Sequence, residues 1–110
     1  MASGIHVRLS LMNTVRKVKD LVCAGSLTGE LLDEYVVPGC GADCVVLVFE
    51  KHYYRAGNRL TLTAVLTGAE DGTEVHLIGG GGGEGLFRFD WGAADSFEDS
   101  VLRGLSVYRG

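Results

Sequence analysis

The sequence predicts an α+β domain of two layers, in which an antiparallel sheet of about five strands carries two helices on one face. Three features indicate this class. Apolar and polar residues alternate near the start, a β-rich hairpin occupies the middle, and a segment with helical apolar spacing lies on either side of the main strand-rich region. Because each helix has a single apolar stripe, both are expected to bury it against the same sheet face.

The chain begins with a predicted strand and helix. Ile5, Val7 and Leu9 alternate with polar residues, which is the pattern of a half-buried strand. Asn13 can then cap a helix, and the apolar positions within Val15–Val22 predict an amphipathic helix. The basic residues between those positions are interpreted as the solvated side of this helix.

The middle of the chain predicts a series of strands. Leu31–Val37 is expected to form the second strand, because proline and glycines follow it. Cys44–Tyr54 and Arg59–Leu66 are two β-rich runs joined by a short segment with Gly57, which predicts a hairpin. A turn at Glu70–Gly72 then leads into a further strand.

The last third of the chain is predicted to end in a helix. The glycine run Gly79–Gly83 is expected to interrupt the sheet, and Leu86–Trp91 can add a final strand. Asp95 and Glu98 have capping-box spacing at the start of an apolar stripe. The predicted order is strand, helix, strands, helix, within a single domain spanning residues 1–110.

Composition and charge restrict the possible partners. The 46% hydrophobic and 22% charged content is that of a globular protein, and the net charge of −4 argues against a nucleic-acid partner. No apolar run is long enough to span a membrane, and the first residues do not look like a secretion signal. The odd number of cysteines fits a reducing compartment, so a cytoplasmic location is predicted.

The two faces of the hairpin can be separated by residue parity. Odd positions of its first strand share a face with even positions of its second strand, whichever turn joins them. One face is the predicted core: Val45, Leu47, Phe49, Leu60, Leu62, Ala64 and Leu66. The opposite face carries a polar group, Glu50, His52, Tyr54 and Arg59, and further from the turn an apolar group, Val46, Val48 and Val65.

The polar group is the candidate ligand-binding site. His52 oriented by Glu50 has the chemistry of a general acid or base, and Arg59 that of an anion ligand. The alternative is an ordinary solvated sheet face, since flat faces exclude little water. The sequence favours this alternative, and with it a protein that is not an enzyme.

Metal and cofactor sites have little support in the sequence. Cys40 and Cys44 with a histidine could bind zinc, but no second ligand pair of the usual spacing follows. The glycine run lacks the lysine of a phosphate-binding loop, and Glu84 would repel a phosphate. We therefore expect no cofactor and no resident metal ion.

The hairpin Glu50–Leu62, the glycine patch, the Phe87–Phe89 strand and the final helix together resemble a family of small bacterial cytoplasmic domains of unknown function. The resemblance covers about the last two-thirds of the chain and includes the family's Gly-Asn-Arg turn. Gly83 and Glu84 replace the family's Ser-Gln pair, and Arg88 replaces a lysine. The resemblance implies a bacterial cytoplasmic origin and no assigned activity.

Two functional hypotheses follow. The first is a non-catalytic binding or self-association module, with a protein partner or a second copy on the face that carries Val46, Val48 and Val65. The alternative is a small-molecule-binding domain, possibly enzymatic, with its polar site at the central hairpin.

Overall fold

The structure is a computed structural model that describes residues 2–24, 29–38, 43–53, 58–80 and 99–110. The elements in chain order are strand β1 (Ala2–Val7), helix α1 (Leu11–Lys19), a π-helical turn (Asp20–Ala24), and strands β2 (Glu30–Val37), β3 (Cys44–Tyr53), β4 (Asn58–Ala69) and β5 (Gly72–Gly80). A second helix, α2, is described over 99–106. The strands form one antiparallel sheet in the order β1-β5-β4-β3-β2, which confirms the predicted α+β class.

Helix α1 carries the chain from one edge of the sheet to the other. Strands β1 and β2 follow one another in sequence but occupy opposite edges. On the way α1 packs against β4 and β5. At its far end Lys19 forms an ion pair with Glu34 of β2, and Lys17 lies over the ring of Tyr108. Two of the basic residues interpreted as a solvated helix side therefore have partners within the chain.

The start of α1 differs from the prediction. Ser10, not Asn13, is the N-cap, and its hydroxyl accepts a hydrogen bond from the Asn13 backbone N–H at 3.3 Å. The strand before it ends at Val7, so the alternation through Leu9 extended the predicted strand two residues too far. Serine satisfies an otherwise unpaired N–H of the first turn as well as asparagine does, and the two lie three residues apart.

The core lies between the helices and one face of the sheet. The residues predicted to form the core face of the hairpin are all 5% exposed or less, which confirms the parity argument. Val15 and Val18 of α1, Val22 of the π-helical turn, and Val101 and Leu105 of α2 complete the same cluster. Both helices therefore pack on one face, as predicted.

Several predicted boundaries shift or lie outside the described residues. The described hairpin pair nearest the turn is Tyr53–Asn58, so β4 begins one residue earlier than predicted, and it continues to Ala69; Tyr54, the predicted end of β3, lies outside the described residues. Gly79 and Gly80 belong to β5, which corrects the expectation that the whole glycine run interrupts the sheet. The rest of that run, the possible strand at 86–91 and the capping box at 95–98 lie outside the described residues. Within the described part, no helix is long and apolar enough to cross a membrane.

Two buried threonines fix the connection between β1 and α1. Thr73 of β5 is fully buried, and its hydroxyl donates to the Leu9 carbonyl at 2.9 Å. Thr14 of α1 is also fully buried, and its hydroxyl donates to the Ser10 carbonyl at 2.8 Å. Both hydroxyls are thus satisfied, which removes the cost of burying them and holds the start of α1 against β5.

Thr73→Val should remove the hydrogen bond to the Leu9 carbonyl while keeping the branched shape of the side chain. We expect the free energy of unfolding to fall by about 1 kcal/mol, because a buried carbonyl loses its best donor. Urea denaturation followed by circular dichroism measures this. Thr63→Val is the matched control, since Thr63 is half-buried on the opposite sheet face and its hydroxyl makes no hydrogen bond in the described part of the chain. If both variants lost the same free energy of unfolding, the stabilising role of the hydrogen bond from Thr73 to the Leu9 carbonyl would be contradicted.

Gly72 is the glycine that the β4–β5 turn requires. It has a φ of 153°, and a Cβ atom placed there would lie 1.9 Å from the Val7 carbonyl oxygen. Gly72→Ala is therefore expected to cost about 2 kcal/mol or more in urea denaturation. Gly68→Ala in the same hairpin is the control, because its nearest neighbour would be at 3.6 Å, and it should be close to neutral. If Gly72→Ala left the free energy of unfolding unchanged, the turn would have to adopt another conformation.

Candidate interaction surface

The sheet face opposite the helices is built from alternate residues of all five strands. Cross-strand pairing arranges these residues in rows. The two central rows are Tyr35, Val46, Val65, His76 and Gly4, followed by Asp33, Val48, Thr63, Ile78 and Ala2. Among the described residues the helices cover only the other face, and no described element covers this outer face.

Five apolar residues of these rows form a continuous strip, the outer band: Tyr35, Val46, Val48, Val65 and Ile78. Tyr35 is 53% exposed and Ile78 is 42% exposed, and the three valines between them are half-buried. The predicted placement of the valines on the outer face is confirmed. Contiguous exposed apolar surface is typical of a contact site.

Tyr35 and Ile78 are members of the outer band that sequence reasoning missed. Ile78 could have been found, because Val75 and Leu77 predict the buried face of β5 and leave Ile78 on the other. Tyr35 could not, because its face depends on the pairing between β2 and β3. That pairing contains a register shift between Leu31 and Asp33. A shift of this kind exchanges the faces and has no local signature.

The predicted polar site is only partly described. Glu50 lies half-buried on the outer face opposite Thr61. The backbones of His52 and Arg59 are directly paired, so these two residues occupy one row of the hairpin. Their side chains and the whole of Tyr54 lie outside the described part of the structure. The role of this group as a ligand site therefore stays a prediction.

A broad groove of about 920 Å³ lies at the other end of the sheet. It is bordered by Arg8, by the start of α1 and by the β4–β5 turn. Three carboxylates, those of Asp43, Glu70 and Asp71, line it with the one arginine. An anion drawn to the helix N-terminus would meet this excess of negative charge, so the groove has poor chemistry for a phosphate or carboxylate ligand.

A histidine–carboxylate cluster joins β1 to β5. The Nδ1 atom of His6 lies 2.7 Å from Oε1 of Glu74, and its Nε2 atom lies 3.3 Å from Oδ1 of Asp71. The atoms of the second contact lie within ion-pair distance but do not form a hydrogen bond. The Nε2 atom is buried and has no hydrogen-bond partner among the described residues. Two carboxylates flank the imidazole, and Nε2 is buried, so it is not open to a substrate. The cluster therefore ties the two strands together.

The zinc arrangement considered from the sequence gains no support from the geometry. Among the residues that the structure describes, no three histidine, cysteine or acidic side chains converge as metal ligands. Cys23 and Cys44 are free thiols, and Cys40 lies outside the described ranges. His76 is exposed on the outer face beside Val65.

The comparison with protein families accounts for almost the whole chain. A family model matches residues 3–109. The chain belongs to DUF6054, a family of unknown function. This confirms membership of a family without an assigned activity. No curated protein and no solved structure gives a significant match to this DUF6054 chain.

Proposed function

We propose that this DUF6054 chain is a non-catalytic self-association module in which two copies pack face to face through the outer band. The observation that carries the proposal is the position of the band. It occupies the centre of the one sheet face that the helices leave uncovered, with Tyr35 and Ile78 exposed at its two ends. Burying these side chains in a second copy removes apolar surface from water.

The size of the outer face is sufficient for a dimer. With strands about 4.8 Å apart and residues about 3.3 Å apart along each strand, the face measures roughly 600 Å². Two such faces together bury roughly 1,200 Å², which is the lower end of the range for specific protein–protein interfaces. This size fits a dimer that exchanges with its monomer.

The arrangement of the outer band is also suited to a second copy of the same chain. Val46 and Val48 of β3 and Ile78 of β5 lie on opposite sides of the central strand β4. A two-fold axis along β4 would place Val48 opposite Ile78 of the partner subunit and bring Val65 against its own counterpart. Two apolar pairs then lie at the centre of the contact, while Val46 lies opposite the partner subunit's His76 and Tyr35 opposite the partner subunit's Gly4.

A binding role without catalysis fits the chemistry of the described residues. His6 has a carboxylate beside each of its nitrogens, and the groove near Arg8 is open and mainly acidic. Catalysis needs a shielded site with groups aimed at the reacting atoms. We further place the module in the cytoplasm, because Cys23 and Cys44 are free thiols and the chain has an odd number of cysteines.

Val46→Lys is the direct test of the proposed dimer. The lysine would place a charge at the centre of the apolar contact, so we expect the dimer dissociation constant to rise by about tenfold or more. Sedimentation equilibrium over a range of protein concentrations measures this constant. Val46 is half-buried on the outer face, so the substitution is not placed in the core. The circular dichroism spectrum and the urea midpoint of the variant protein show whether it still folds.

Val36→Lys is the matched control for this experiment. Val36 lies in the same sheet and is 62% exposed, but it pairs with the buried Val45 and so belongs to the helix side of β2. The control should dimerise like the natural chain. A natural chain that stays monomeric at every concentration, or a Val46→Lys variant that dimerises equally well, would refute the proposal.

A further inference from the structure

The two edge strands of the sheet differ in whether another described segment of the chain pairs with them. At the β1 edge, residues 108–110 run beside the strand. The Arg8 N–H donates to the Tyr108 carbonyl at 2.8 Å, and the Gly110 N–H donates to the His6 carbonyl at 3.1 Å. At the β2 edge, no strand pairs with the outward side of β2 within the described residues. With respect to the described part of the chain, the outward backbone groups of β2 are open to an added strand.

Strand β2 also exposes apolar side chains on both faces of the sheet. Tyr35 on the outer face is 53% exposed, and Val36 on the helix side is 62% exposed. Leu32, at the register shift, is 50% exposed. Helix α1 packs on β4 and β5, while β2 is contacted by the π-helical turn and by Lys19 and stays mostly exposed. An added strand could thus contact exposed apolar side chains of β2 on both faces of the sheet.

The charge on β2 defines the partner that fits. Glu30 and Asp33 are exposed on the outer face, and neither has a basic partner among the described residues. Glu34, on the helix side, is paired with Lys19. The uncompensated charge is therefore on the outer face, while the helix side presents Val36. A strand with basic residues on one face and apolar residues on the other complements both.

A second copy of β2 fits this edge less well. A two-fold antiparallel pairing centred on Asp33 or on Glu34 would place that carboxylate opposite its own counterpart. A pairing centred on Tyr35 matches only the short stretch after the register shift and leaves Asp33 without a basic neighbour. Like charge at an edge is a common device against self-pairing.

We propose that the β2 edge captures an extended segment of a partner protein, in which lysine or arginine alternates with apolar residues. The captured segment adds a sixth strand beside residues 33–37, with a basic side chain over Asp33 and an apolar side chain against Val36. Backbone hydrogen bonds supply the binding, and charge selects the sequence. This edge shares Tyr35 with the outer band but binds through the outward backbone of β2, whereas the proposed dimer binds through the outer sheet face.

The experiment uses the full chain and a blocked peptide of alternating lysine and valine. The peptide is titrated into the isotope-labelled protein and followed by NMR. Saturable shifts concentrated on residues 33–37 are expected, with affinity that falls as salt is added. The same peptide with glutamate in place of lysine should not bind. Absence of saturable binding by the lysine peptide would overturn the proposal.

Two N-methylated peptides separate strand addition from simple charge attraction. In a strand pair the N–H groups of alternate residues point at the neighbour. One peptide is methylated on its lysine N–H groups and the other on its valine N–H groups. Only one of these two sets faces β2, so one peptide should lose binding and the other should keep it. Equal binding of the two methylated peptides would show that the peptide does not join the sheet, and would refute the proposal.

Val36→Lys tests the location on the protein. It replaces an exposed apolar contact by a like charge, and the affinity for the lysine–valine peptide should fall by about tenfold. Val107→Lys is the control, because Val107 is 76% exposed close to the β1 edge. Val46→Lys should retain peptide binding even where it disrupts dimerisation, so the two proposals can fail independently. Concentration-dependent shifts on residues 33–37 of the Val46→Lys variant without peptide would mean that a second copy occupies the edge, and would overturn the proposal.

Discussion

One-sided burial of the sheet is the constraint on which the rest of the structure depends. Leu62 and Leu66 of the central strand β4, together with Leu47 and Leu77 on its neighbours, are fully buried under the helices. Alternate residues of the same strands must then point away from the core. The chain supplies one helical layer to this sheet, so the opposite face has apolar valines without a covering layer from the described elements. The surface available for function is thus a direct result of how the core is made.

The path of α1 explains why the two edges differ. The helix crosses from the β1 edge to the β2 edge, and its start is held by the Thr73 hydroxyl at the Leu9 carbonyl. Its end is held by the ion pair between Lys19 and Glu34. A helix of nine residues is too short to cover five strands, since it extends only about 14 Å. The strand at the end of the crossing is contacted by the π-helical turn and by Lys19, and most of its side chains stay exposed.

Local sequence patterns predicted part of the fold correctly but could not predict the rest. Alternation in the β3–β4 hairpin predicted the core face and the outer position of Val46, because hairpin partners are close in sequence. The pairing of β1 with β5 joins residues far apart along the chain, so His6 and Glu74 could not be brought together from the sequence. The N-cap was misassigned because Ser10 and Asn13 have nearly equal capping chemistry. The polar hairpin group was predicted from parity, and its chemistry stays a prediction.

The pairing of β1 with β5 also bears on how the chain acquires its structure. Strand β1 is synthesised before β5, yet Ala2 of β1 pairs in the sheet with Ile78 of β5. During translation the apolar residues of β1 therefore stay without these partners until β5 has left the ribosome. Contacts between such distant residues slow folding, because a long loop must close before they form. The nascent protein is thus most vulnerable to aggregation before β5 emerges, and a chaperone that shields its first strand would act in that interval.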